Sequence, residues 1–248
     1  MNEPLAAVAA IDEPAAPTTS AIRIRRAYFA IALLVAAIVA WGFWKTYYSQ
    51  ISARTDLPSI VHLHAAVFSL WVLVLVAQAC VVAAGNVRLH RRIGTWAMIY
   101  GGIVFAVGLA VSVGAPAVRV RAGQFPLEVG GLVVLYNLTD MVLFGAFLAL
   151  AFWYRNRPEL HKRWIIAASA ALCGAALGRV VPGSTPQYLL LWLSPILAMV
   201  TVDLWTRGRV HWVPLVSAAL LVGAFFKVPL YSAPLWRDVG TALLGVFV

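Results

Sequence analysis

Seven apolar segments, each long enough to cross a lipid bilayer, dominate this sequence. A transmembrane helix needs about 20 largely apolar residues, and the segments near this length lie at residues 27–44, 60–84, 94–114, 130–153, 164–182, 187–206 and 211–230. A closed barrel would need alternating strands of about ten residues, and these segments are too long and too continuous for that pattern. The sequence therefore predicts an all-α fold, a polytopic transmembrane bundle of about seven helices.

The composition indicates that lipid, not water, surrounds most of the chain. Hydrophobic residues make up 62% and charged residues only 11%, whereas charged residues are about 25% of an average soluble domain. The net charge of +10 raises the question of nucleic-acid binding. The basic residues form short clusters between apolar segments instead of one basic face. The expected partner is therefore the lipid bilayer, and no nucleic acid is expected.

The positions of Lys and Arg predict the orientation, because cytoplasmic loops carry the excess of both. With the amino terminus in the cytoplasm, twelve of these residues fall on that side and six on the other, while Arg179 lies within a segment. This predicts a protein of the bacterial inner membrane. Residues 1–22 are then a disordered cytoplasmic tail, 23–232 the transmembrane domain and 233–248 a short external segment at the membrane interface.

Two short stretches that lie 71 residues apart resemble each other. NVRLHRRIGTWA enters the third apolar segment and RPELHKRWIIAA enters the fifth, which places His90 and His161 at matching points. Each stretch follows a helix that returns to the cytoplasm. The hypothesis is that 60–114 and 130–182 are related by duplication. A chance match of a few residues is the alternative.

Ionisable residues inside transmembrane segments are costly, so each one is a candidate functional residue. Asp140 lies near the middle of the fourth segment, Asn137 is one turn earlier, and Arg179 is the nearest cation by depth. His62 and His64 lie near the outer end of the second segment. The functional hypothesis is an outward-facing polar pocket of these five residues that holds a metal ion, a proton or a polar head group. The alternative is structural, with paired side chains that lock helices together.

Three histidines, His90, His161 and His211, fall at the cytoplasmic entrances of the third, fifth and seventh segments. Imidazoles at one depth can ligate a transition metal or, on facing helices, a haem iron. Neighbouring Arg and Lys repel a bound cation, and such clusters often contact lipid phosphates instead. One haem near the inner face is compatible with these positions. A two-haem conduit is disfavoured, since the outer histidines come from a single helix.

Other patterns are interpreted as structural. Small residues at four-residue spacing are typical of closely packed helices, and they recur at Ala170, Gly174 and Gly178 and at Gly108 and Ser112. Asp203 precedes Arg207 by four residues, which predicts an ion pair within one helix. Lys227 is predicted to lie at the outer margin of the seventh segment, and no role is assigned to it.

Three short motifs carry a resemblance to a known family. The order H-x-H at 62–64, L-H-R-R-x-G at 89–94 and E-L-H-K-R-W at 159–164 resembles uncharacterised bacterial multi-pass membrane proteins, a domain of unknown function. The resemblance covers about residues 58–182. Members look distantly like b-type membrane cytochromes, which implies a redox or haem role for His62, His64, His90 and His161.

Three classes of function remain open at this stage. The first is a protein that binds a metal or haem, or handles protons, through its membrane histidines and Asp140. The second is a small-solute or lipid-handling transporter in which Asp140 and Arg179 line a cavity. The third is a structural subunit of a membrane complex or a homo-oligomer. No catalytic residue is assigned, because the sequence lacks a serine-histidine-acid set, a phosphate-binding glycine loop and an H-E-x-x-H motif.

Overall fold

A computed structural model describes residues 18–53, 57–183 and 185–248. Over these residues the chain forms α-helices joined by short turns, without a β-strand, which confirms the all-α class. The helices are α1 (Thr19–Trp44), α2 (Ser59–Ala83), α3 (Val87–Arg121), α4 (Leu127–Trp153), α5 (Pro158–Leu177), α6 (Pro186–Arg207), α7 (Trp212–Phe225), α8 (Lys227–Tyr231) and α9 (Pro234–Gly245).

Five helices, namely α1, α2, α3, α4 and α6, are long and apolar enough to cross a membrane. The most apolar of the five, α2, has a mean hydropathy of 2.4, yet only 11% of its most apolar stretch is buried by protein. In a water-soluble protein the most apolar helix would lie in the core. A large exposed apolar face requires another apolar phase, so lipid contact explains why α2 lies at the periphery.

The centre of the bundle is α5, which contacts α1, α4, α6 and α7. Buried residues make up 12 of its 20 positions, and most of them are Ala, Gly or Ser. Small side chains allow several helix backbones to approach one axis. The central helix is therefore rich in small residues, whereas the large apolar side chains of α2 and α3 face outward.

The small-residue contacts predicted for α5 and α3 are present at Ala170, Gly174 and Gly108, whereas Gly178 is exposed beyond the end of α5. The carbonyl oxygen of Gly174 accepts a hydrogen bond from the Tyr188 hydroxyl at 3.1 Å. The carbonyl oxygen of Ala170 accepts one from the Trp192 indole at 2.9 Å. A Cβ atom at Gly108 would overlap a methionine side chain of α4. These positions hold α5 against α6 and α3 against α4.

The first and last predicted spans have different boundaries in the structure. α1 begins at Thr19, where the Thr18 hydroxyl caps the helix by accepting a hydrogen bond from a backbone N–H at 3.3 Å. The last four residues of the predicted tail 1–22 are therefore helical, and the tail up to residue 17 lies outside the described residues. The span predicted at 211–230 is divided into α7 and α8 by a turn at Phe226.

Two elements extend beyond the predicted spans. α3 has 35 residues, about 52 Å at the helical rise, so its Arg119–Arg121 end projects past a hydrocarbon layer about 30 Å thick. The predicted external segment contains α9, which packs on α4 where the backbones of Gly131 and Gly240 touch. Leu244 of α9 is fully buried in this contact.

We predict that Gly42→Leu destabilises the bundle, because a Cβ atom at Gly42 of α1 would overlap the backbone carbonyl of Ala176 of α5. Overpacking of this kind costs about 1–3 kcal/mol, so the midpoint of thermal unfolding in detergent, followed by tryptophan fluorescence, should fall by several degrees. The matched control is Gly102→Leu, since nothing lies within 4 Å of a Cβ at Gly102. Equal melting temperatures for the two variants would contradict this packing.

Candidate functional site

The structure brings His90 and His161 together at one end of the bundle. Each is the fourth residue of its helix, in α3 and α5. Asn86 caps α3 by accepting a hydrogen bond from the Leu89 N–H at 3.0 Å, and Pro158 starts α5. The two imidazole centroids are 6.3 Å apart, with the rings inclined by 66°. The first turns of α3 and α5 therefore place the two imidazole rings next to each other.

The hydrogen bonds around this histidine pair leave acceptor atoms unused. His161 Nδ1 is 2.8 Å from the Ala151 carbonyl oxygen, so Nδ1 carries the proton and Nε2 keeps a free lone pair. His90 Nδ1 and Gln78 Oε1 are buried without a hydrogen-bond partner in the described part of the chain. Buried polar atoms are normally paired. The unpartnered His90 nitrogen beside the oriented His161 imidazole forms a site that is able to accept a cation or a proton.

The third inner histidine, His211, does not join this pair. Its Nδ1 accepts a hydrogen bond from the Val213 N–H at 3.2 Å and caps α7. The His211 backbone N–H donates to Asp203 at 3.1 Å. Among the residues that the structure describes, no group of three or more His, Cys, Asp or Glu side chains could hold a metal ion. Of the three predicted inner ligands, two meet and one serves as a helix cap.

A buried charge network joins α5 to α6 near the same end of the bundle. Arg163 and Asp203 are each only 1% exposed and form an ion pair. Arg163 Nη1 also donates to the backbone and the carboxylate of Glu159, at 2.6 and 2.8 Å. The predicted pair within one helix is wrong, because Asp203 pairs with Arg163 of α5, and Arg207 pairs with Glu159. Tertiary contact outweighs the local spacing.

Asp140, the central residue of α4, pairs with Lys227 rather than with Arg179. The Lys227 ammonium also donates to the Tyr136 carbonyl oxygen at 3.2 Å. It lies 5.7 Å from the ring centre of Trp192. Lys227 is the first residue of α8, directly after the turn that ends α7. The placement of Lys227 at the outer margin is therefore corrected, since its side chain reaches the middle of α4.

The other members of the predicted outer pocket form a separate group. His62 Nδ1 is hydrogen-bonded to the Tyr47 hydroxyl at 2.9 Å. His64 stacks on Phe68 with ring centroids 4.0 Å apart, and its Nδ1 is buried without a partner in the described chain. Arg179 lies within electrostatic range of His64. Asn137 is half-buried on α4. Asp140 therefore pairs with Lys227, while His64 lies near Arg179, so the five residues do not meet as the predicted pocket.

Two residues that matter here, Arg163 and Lys227, were missed by the sequence reasoning. Lys227 lies inside the predicted span 211–230, and the rule that singled out Asp140 applies to it equally. Arg163 was counted with the basic loop before α5. The signal that could have identified it is the lone acid Asp203 in an apolar helix, which needs a cationic partner.

Comparison of the chain with protein-family models, with curated proteins and with solved structures finds no match. The resemblance based on the three histidine motifs stays a prediction.

We predict that Asp203→Leu strongly destabilises the protein, because it leaves the buried Arg163 guanidinium without its main partner. Breaking a buried ion pair costs about 3–5 kcal/mol, and we expect about 3 kcal/mol because Glu159 still contacts Arg163. The measurement is the thermal midpoint of purified protein. The double variant Arg163→Met with Asp203→Leu should recover much of the loss, whereas Glu128→Gln, an exposed acid on α4, should change little. No recovery in the double variant would contradict the pairing.

Proposed function

We propose that the chain is a seven-helix protein of the bacterial inner membrane with its amino terminus in the cytoplasm. The correspondence of six predicted segments with α1 to α6, and of the seventh with α7 and α8 together, supports this number. The twelve-to-six distribution of Lys and Arg supports the direction. In this orientation the His90–His161 pair lies at the cytoplasmic side, and Asp140 lies near the middle of the membrane.

We infer that His90 and His161 bind a transition metal, either as a single ion or as the iron of a haem. The observation that carries this inference is the approach of two imidazoles from different helices to a centroid distance of 6.3 Å. Basic residues near this end would repel a free cation. The two half-buried imidazoles offset this repulsion, because one ring nitrogen of His90 is buried without a partner among the described residues and the Ala151 carbonyl orients His161.

The two rings are close enough for His90 and His161 to hold one metal together. Metal–nitrogen bonds of about 2.0–2.1 Å from each ring would be compatible with ring centres about 6 Å apart. The observed separation is 6.3 Å. His90 and His161 would supply the imidazole nitrogens that hold a single ion or a haem iron. The donor set therefore fits either form.

The residues around the pair have the roles expected of a second ligand shell. Metal-bound histidines usually donate their other ring N–H to a backbone carbonyl, which fixes the tautomer, and the Ala151 carbonyl does this for His161. The backbone of Gln78 lies close to His90 on the neighbouring helix α2. A haem or a redox-active metal would supply one-electron transfer at this position. This agrees with the cytochrome-like role that the sequence resemblance implies.

We predict that purified protein carries about one haem or metal ion per chain, and that His90→Ala and His161→Ala each lose it. The measurements are the visible absorption spectrum and elemental analysis of one sample, taken as isolated and again after incubation with haemin or with copper and zinc salts. A haem gives an absorption band together with iron, and a single ion gives metal without that band.

The matched control is His211→Ala, which removes an imidazole at the same end of the bundle that caps α7 and does not face the pair. It should retain the metal content of the wild type. A colourless and metal-free wild-type protein after both incubations would refute the proposal. So would alanine variants at His90 and His161 that bind as much metal as the wild type.

The Asp140–Lys227 pair favours a second candidate function, the transport of protons or of a small solute coupled to them. The pair lies where the last predicted span is interrupted between α7 and α8. Interrupted helices and intramembrane ion pairs are common at the substrate and proton sites of transporters. Protonation of Asp140 would release Lys227, so a proton that reaches the pair can change how α8 is held against α4.

We predict that Asp140→Asn abolishes proton flux into vesicles that contain the purified protein, measured with a trapped pH-sensitive dye under an imposed membrane potential. The variant should keep its folded elution profile, because asparagine still accepts a hydrogen bond from Lys227. The control is Asp238→Asn, an exposed acid on α9, which should conduct as the wild type does. Wild-type vesicles that are no more permeable than empty ones would eliminate this candidate.

A further inference from the structure

A groove lies between the carboxyl-terminal ends of α1 and α5, on the side opposite the His90–His161 pair. It has a volume of about 520 Å³ and is lined by Ala40, Trp41, Trp44, Lys45, Arg179 and Val180. Trp41 is 50% exposed and Trp44 is 60% exposed. Tryptophans at helix ends are typical of the boundary between hydrocarbon and head groups. The groove is therefore positioned at the level of lipid head groups.

The groove carries positive charge that no described carboxylate neutralises. Lys45 and Arg179 both line it, and neither forms an ion pair with any residue in the ranges that the structure covers. Arg119, at the end of α3, is within electrostatic range of Arg179 and adds to the repulsion. Bringing cations together without an acid is unfavourable unless an anion binds among them.

The Arg179 guanidinium is oriented, and most of its donors remain available. One Nη1–H donates to the Ala175 carbonyl, and the group lies 4.3 Å from the ring centre of Phe43. A guanidinium has five N–H donors in a planar fork that suits phosphate oxygens. An oriented guanidinium fork and a lysine that line the same groove together point to an anionic ligand.

We propose that this groove binds the phosphate head group of an anionic phospholipid. The exposed Trp41 and Trp44 rings would contact the glycerol and the upper acyl chains, while Lys45 and Arg179 bind the phosphate. The volume lies within the range of small-ligand sites, about 300–1,000 Å³. The exposed Trp41 and Trp44 rings favour a lipid over a soluble anion, because a free phosphate has no apolar part that could contact two indoles.

The experiment is native mass spectrometry of the full chain released from detergent after incubation with phosphatidylglycerol or with phosphatidylcholine of the same acyl chains. The wild type should retain phosphatidylglycerol preferentially. Each cation near an anionic lipid contributes about 1 kcal/mol, which is about fivefold in occupancy. Lys45→Gln and Arg179→Gln should therefore each reduce retention of phosphatidylglycerol about fivefold, and the double variant should reduce it further.

The matched control is Arg237→Gln, which removes an exposed cation from α9, away from the groove, and should leave retention unchanged. Equal retention of both lipids by the wild type would overturn the proposal without any variant, so a variant that fails to fold does not leave it undecided. Displacement of the lipid by millimolar inorganic phosphate would also overturn it, because the site would then be one for a soluble anion. An equal loss in the Arg237→Gln control would indicate a general charge effect and refute the site.

Discussion

The ion pair between Arg163 and Asp203 is the contact on which the arrangement of the central helices depends. Both side chains are almost completely buried, and an unpaired charge there would cost several kcal/mol. Asp203 therefore fixes α6 against α5, and its hydrogen bond to the His211 backbone fixes the start of α7 as well. Glu159 extends the network along the first turn of α5. The start of α5, which also carries His161, is thus held from several sides, so the position of that imidazole is determined by the buried charges next to it.

Close packing around α5 follows from the same low-dielectric surroundings. Lipid does not drive apolar helices together as water does, so association depends on backbone approach and on interhelical hydrogen bonds. Both occur here, because the Trp192 indole and the Tyr188 hydroxyl of α6 donate to backbone carbonyls of α5 exposed by small residues. Trp71 of α2 donates to Ser169 on another side of the same helix, at 3.3 Å. α6 and α2 are thus joined to α5 by directional hydrogen bonds.

The fold was predictable because it depends on local properties of the sequence. The lengths of the apolar segments predicted the helices, and the small residues Ala170 and Gly174 predicted the packing surface of α5. The histidine pair could also be predicted, since the matching stretches put His90 and His161 at the same position in the first turn of two helices. The ion pairs could not be predicted from the sequence. By depth in the sequence, Arg179 was the candidate cation for Asp140, and only the way α8 returns toward α4 brings Lys227 to it instead. The four-residue spacing likewise predicted that Asp203 pairs with Arg207, whereas the packing of α5 against α6 brings Arg163 to Asp203.

The two polar centres of the bundle differ in what they require from outside the chain. Asp140 and Lys227 neutralise each other, and a buried ion pair that is internally satisfied can be purely structural. The histidine pair is not satisfied, because His90 Nδ1 and Gln78 Oε1 find no partner among the described residues while the Ala151 carbonyl orients His161. Unpaired buried polar atoms cost about 1–3 kcal/mol each, and a ligand that binds to them recovers that cost. A bound ligand is therefore better supported at the histidine pair, which has unpaired atoms, than at the Asp140–Lys227 pair. The Asp140–Lys227 pair would become functional only if a proton reached it.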